Sequence, residues 1–68
     1  MSKYYVNDHA QDSGDHEVHK EGCSWLSLVV SKKYLGEYTS CFGAVTEAKK
    51  TYSQSDGCKY CCPLCNHG

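Results

Sequence analysis

The residues of this chain that could do chemistry fall into two short pairs. His19-Lys20-Glu21-Gly22-Cys23 carries an imidazole and a thiol on either side of a glycine turn. Cys58-Lys59-Tyr60-Cys61 is a C-x2-C pair directly after the turn signal Asp56-Gly57. A knuckle of the second kind points two thiolates at one cation, and a nitrogen and a sulfur converging where a strand ends can complete a tetrahedral shell. His19, Cys23, Cys58 and Cys61 are therefore the candidate metal ligands. One imidazole with three thiolates suits Zn2+, which is borderline soft and imposes no geometry of its own. A structural zinc contributes on the order of 10–16 kcal/mol to small peptides at neutral pH, as much as the whole stability of an ordinary domain. Four protein ligands leave no position for water or substrate, so the expected role is structural, not that of a zinc hydrolase.

Three cysteines remain: Cys41, Cys62 and Cys65. Cys58, Cys61, Cys62 and Cys65 make a rival set of four thiols, but a site there would organise only the tail and leave a thin core unstapled. Cys62 and Cys65 are also spaced for thiol–disulfide exchange, although Pro63-Leu64 shows no helix start that would stabilise a thiolate. A bridge from Cys41 to one of them is compatible with the sequence and not deducible from it. Taken alone, Cys41 reads as a small buried hydrophobe. His16 is a substitute for His19 as ligand, whereas His9 and His67 read as surface residues.

The elements that must position these groups come from a chain of 68 residues. At that size only about 60% of the unfolded surface can be buried, and a structural metal, disulfides or an oligomer interface is expected to supplement the core. The first residues, Met1-Ser2-Lys3-Tyr4-Tyr5-Val6, lack the pattern of a signal peptide, so the expectation is a cytoplasmic chain with reduced thiols. A secreted disulfide scaffold is the alternative. The longest apolar run, Leu28-Val29-Val30, is far short of the roughly 18 residues of a membrane span. Net charge is -1, with seven basic residues, all lysine, and this argues against a nucleic-acid partner. The Lys32-Lys33 and Lys49-Lys50 pairs read as solvated faces.

Tyr4-Tyr5-Val6 and Glu17-Val18-His19 are β-prone and flank a polar stretch, Asn7 to Asp15, which predicts a hairpin with a mobile loop. Trp25 to Val30 alternates and predicts a strand, with Ser31-Lys32-Lys33 as a break and Tyr34 to Tyr38 as a further strand. Thr39 or Ser40 offers a helix N-cap, and Ala44, Val45, Ala48 and Tyr52 share one helical face, which predicts a helix over 41–52. Trp25 and the tyrosines are expected to fill the core. The fold class is α+β: a small antiparallel sheet, one helix and a closing C-terminal knuckle. The whole of 1–68 is one domain, with an N-terminal strand and loop over 1–15 and a metal-stapled core over 16–65.

In combination, His19-x3-Cys23, Tyr38 before Thr39-Ser40, Ala44 and Ala48 in a helix, and Gly57-Cys58-x2-Cys61 resemble the metal-binding domain of Ada-type DNA alkylation-repair regulators. The similarity runs from about Val18 to Pro63. The chain as a whole also resembles short bacterial proteins that share its Tyr-Tyr-Val-Asn start and twin-cysteine tail. The family resemblance implies a zinc domain in which the first of four cysteine ligands accepts a methyl group from DNA. His19 stands at that first position, and an imidazole has no thiolate to alkylate. Basic residues around the last C-x2-C are also largely replaced, with Tyr60 beside Cys61. The expected function is thus a non-enzymatic binding or adaptor module with a protein partner. A thiol redox protein using the C-terminal cysteines is the competing class.

Overall fold

Alternating apolar residues decide the central strand pair. In the computed structural model, which describes residues 1–67, Ser2–Asn7 forms β1 and His16–Lys20 forms β2. They pair antiparallel, with Tyr5 opposite His19 and Val6 opposite Val18. Tyr4, Val6 and Val18 are buried in the core. Successive strand residues face opposite sides. Glu17 and His19 therefore share the face of β2 that Val18 does not use.

Lys32–Tyr38 forms β3 and pairs antiparallel with the other edge of β1. Tyr4 lies opposite Gly36 but Tyr5 lies opposite Tyr34, so Leu35 is an extra residue and the strand bulges. Gly36 adopts a φ of 121°, which favours glycine. Ser55–Gly57 forms β4, parallel to β2 with Val18 opposite Gly57. The sheet order is β3-β1-β2-β4. Cys41–Ala48 forms α1, and Cys41, Ala44 and Ala48 bury its inner stripe against the sheet's core residues. The fold is α+β, with the hairpin, the third strand and the helix where the sequence indicates them. Gly68, the last residue of the expected domain, lies outside the described residues.

Several expectations are corrected. The sheet is mixed, because β4 runs parallel to β2 where the Ser-Asp-Gly composition predicts only a turn. Trp25 to Val30 is not a strand. It holds a single 3-10 turn, Leu26–Leu28, with Leu28 and Val30 exposed, because no neighbouring strand offers its edge there. Lys32 and Lys33 belong to β3 instead of breaking it. Trp25, Tyr34 and Tyr60 are exposed, while Tyr4 is the fully buried aromatic among the described residues. The helix stops at Ala48, with a turn leading to Tyr52. Gly43 has a packing reason: a methyl group there would lie 2.8 Å from the ring of Tyr38, which rests against the helix.

Cys41 is not a free hydrophobe. It is bonded to Cys65, in the C-terminal 3-10 turn Pro63–Cys65, across 24 residues of sequence. A bridge of that span removes chain entropy worth on the order of 3 kcal/mol from the unfolded state. It also departs from the expectation of fully reduced thiols. Among the described residues, no helix is long and apolar enough to cross a membrane.

Two predictions follow from the packing. A methyl group at Gly57 would lie 2.7 Å from both the carbonyl oxygen of Cys62 and the Cβ of Cys65. Gly57→Ala should therefore cost about 1–3 kcal/mol in denaturant unfolding, through forced displacement of the tail. Asp8 links three segments: its carboxylate accepts hydrogen bonds from Ser31 Oγ at 2.7 Å and Tyr52 Oη at 2.8 Å. Those two hydroxyls, with smaller help from His9 and His16, hold the Asp8 carboxyl below the usual carboxylate range. A depressed folded-state pKa gives stability that is complete above about pH 4 and is lost as the pH falls through the folded value. Unfolding curves of wild type and Asp8→Asn should be furthest apart near neutrality and converge below about pH 4.

Candidate metal centre

β2 supplies the first donor, and the turn after it supplies the second. His19 is 1% exposed at the end of β2. Cys23 N–H donates to Lys20 O at 3.1 Å, which closes a tight turn with Gly22 at a φ of 91°. That left-handed glycine folds the chain back within four residues, so the Cys23 sulfur reaches 3.8 Å from His19 Nδ1. The following backbone adds support, since the Leu26 amide donates to Cys23 O at 3.0 Å.

The other half arrives through β4. Cys58 N–H donates to Val18 O at 2.8 Å and extends the β2–β4 pairing by one residue, which brings the knuckle over the edge of β2. Cys58 Sγ lies 4.0 Å from Cys23 Sγ, and Cys61 Sγ lies 3.9 Å from His19 Nδ1. Lys20 N–H donates to Cys61 Sγ at 3.3 Å, so the strand holds the knuckle through its backbone. All four donor atoms lie within 4.8 Å of one another. His19, Cys23, Cys58 and Cys61 are thus close enough to hold one metal ion.

The electrostatics of the cluster suit a cation. Burial holds His19 below the ordinary imidazole range, against the smaller opposing effect of the Glu17 carboxylate, and a neutral ring is the form that ligates. Glu17 Oε1 lies 3.3 Å from His19 Nε2. With Nε2–H directed at that carboxylate, the Nδ1 lone pair faces the sulfurs, which is how outer carboxylates orient ligating histidines. Burial alone would push the Cys23 thiol up. Hydrogen bonds from Cys61, from the Trp25 and Leu26 amides and from Cys58 outweigh it and hold that thiol below its usual range. Cys61 is pushed up, chiefly by burial, as one of several crowded sulfurs competing for negative charge. A divalent cation at their centre removes that conflict.

The other candidates stand elsewhere. Cys65 is committed to the bridge with Cys41, so neither the Cys58-Cys61-Cys62-Cys65 set nor a Cys62–Cys65 pair is formed. His16 is turned away: its ring stacks on Tyr52 at 3.8 Å and its Nδ1 sits 2.9 Å from Asn7 O. Sequence reasoning did not identify Glu17 or the Lys20 amide as parts of the centre. The signal for Glu17 was its position two residues before His19 in a strand, which places both on one face.

No family model matches the chain, and no curated protein or solved structure is significantly similar to it.

Glu17→Ala should weaken metal binding by about 10–100-fold, while Glu17→Gln, which keeps an acceptor oxygen, should weaken it less. Competition against a chromophoric chelator measures both.

Proposed function

We propose that this chain is a zinc-stapled binding module in which His19, Cys23, Cys58 and Cys61 hold one structural Zn2+. The carrying observation is the match between donor spacing and the ion. With Zn–S near 2.3 Å and Zn–N near 2.0 Å, tetrahedral geometry demands sulfur–sulfur edges of about 3.8 Å and nitrogen–sulfur edges of about 3.5 Å. Of the six donor–donor edges, one sulfur–sulfur edge is 4.0 Å and two nitrogen–sulfur edges are 3.8 and 3.9 Å, and the rest lie within 4.8 Å. Soft thiolates with one imidazole favour zinc over magnesium or calcium, which prefer oxygen.

Chain organisation supports a structural role. The ion would tie β2 and its turn to the segment after β4, which closes the 34 residues from Ser24 to Gly57. With four protein donors the shell is complete, so we assign the domain no catalytic step. The same spacing of paired ligands around a helix supports a relationship to the Ada-type metal-binding domain, without its methyl transfer, since His19 replaces the nucleophile. A protein partner, and not a nucleic acid, is the reading that low net charge and the missing basic cluster favour.

Native mass spectrometry of the purified chain, with thiol counting before and after a strong chelator, tests the assignment. The expected result is one zinc per chain, four titratable thiols once the metal is stripped, and loss of near-UV and far-UV dichroism on stripping. Cys23→Ser should lose zinc, whereas Cys65→Ser should retain it with lower thermal stability. Protein that carries no metal and keeps its fold in chelator would sink the proposal.

A further inference from the structure

Four cysteines are free among the described residues, and three of them belong to the metal centre. The fourth, Cys62, is 2% exposed. Its sulfur lies 3.9 Å from that of Cys61, so the shell has a fifth soft donor beside it. Cys62 is fixed in place, because its N–H donates to Cys58 O at 2.8 Å and its Cβ packs against Gly57.

Cys61 differs from the other ligands in two ways. The Lys20 amide donates to its sulfur, which draws charge off it and weakens its hold on a cation, and the Cys62 sulfur lies beside it at 3.9 Å. Like Cys23 it is half-buried, whereas His19 and Cys58 are buried. It also lines two openings at once. One, of about 370 Å3, is bordered by Lys20, Gly22, Cys23 and Tyr60. The other, of about 200 Å3, is bordered by Tyr4, Ser40, Pro63 and Leu64, and Cys62 lines it too.

We propose that Cys61 is the labile ligand of the centre and that Cys62 is the thiol that relieves it, so that metal is exchanged with outside acceptors through the Cys61 side. This inference rests on the zinc assignment above. A closed tetrahedral shell exchanges slowly when a ligand must leave before another arrives, and a thiol 3.9 Å from the departing sulfur lowers that barrier. With an ion bound, the Cys61 sulfur would leave it as the Cys62 sulfur takes its place, and the Cys62 proton would pass to the Cys61 sulfur. No electrons are transferred and no co-reactant is consumed. While neither sulfur holds the ion fully, the Cys61 side would face the two openings, where a competing ligand can enter.

The test is the rate of zinc transfer from the loaded full chain to an excess of chromophoric chelator, with equilibrium affinity measured on the same samples. Cys62→Ser and Cys62→Ala should each slow transfer by roughly tenfold, the lower end of the effect of losing a ligand's neighbour. Equilibrium affinity should move by much less. Far-UV dichroism of both variants checks the fold, and either variant alone suffices where the other does not fold. Unchanged transfer rates, or rates that fall only in proportion to affinity, overturn the proposal. A chain that takes up no zinc overturns the assignment and this proposal together, whereas loaded protein with unchanged rates overturns this proposal alone.

Discussion

Val18 and His19 are consecutive on one strand, both buried, and face opposite sides of it. A strand buried on both faces needs a layer on each, and this chain has a single helix to offer. That helix covers the Val18 side, where Tyr4, Val6, Ala44 and Ala48 pack together. On the His19 side the cover is thin: half-buried Tyr5, whose ring packs on Tyr34, with Glu17, the Cys23 turn and the knuckle. The donor cluster, able to hold a metal ion, stands where a second apolar layer would otherwise be needed. This accounts for why a buried imidazole is tolerated where an apolar side chain would ordinarily stand. It also explains why the aromatics nearest the knuckle, Trp25 and Tyr60, stack on each other at 5.3 Å in the open and do not enter a core.

The donor pairs were legible because each is local: four residues across a glycine turn and three residues in a knuckle. Their convergence was an inference from the need to staple a thin core, and the fold supplies the means that the sequence hides. β4 is that means. Ser55-Asp56-Gly57 has turn composition, and nothing in its residue types marks a strand. It pairs with β2 because that edge would otherwise be open, and because Gly57 lacks the Cβ that would strike Cys62 and Cys65. Trp25 to Val30 shows the converse error. Leu26, Leu28 and Val30 alternate as a strand should, yet alternation stabilises a strand only beside a partner, and here the Leu26 and Leu28 amides donate to Cys23 O and Trp25 O in tight turns instead. The Cys41–Cys65 connectivity was beyond sequence reasoning in principle, since cysteine spacing does not determine pairing.

One disulfide and a cluster of thiols place opposite demands on their surroundings, and burial reconciles them. Exchange needs an attacking thiolate with access to the bridge. Cys65 is 2% exposed and Cys41 is 7% exposed, so external thiols meet the bridge only through local opening. The nearby internal thiol, Cys62, is pushed up by burial, which leaves little thiolate to attack from within. The two sulfur chemistries are thereby kept apart although their residues are interleaved along the tail. Reduction of the bridge would free the C-terminal turn from α1 without touching any of the four clustered donors.

The choice of one histidine among three cysteines has an electrostatic reason in this fold. Three thiolates around a divalent cation leave a charge of -1, and a fourth would leave -2 on a face of the sheet that is closed to solvent at His19. A neutral imidazole supplies the fourth bond without added charge. It also brings a second nitrogen, which Glu17 uses to set the ring's orientation from the rim, where the carboxylate keeps contact with water. A cysteine at position 19 could satisfy the cation but could not be steered in this way. The neutral ring that spares the cluster a further negative charge is therefore also what lets these donors be buried.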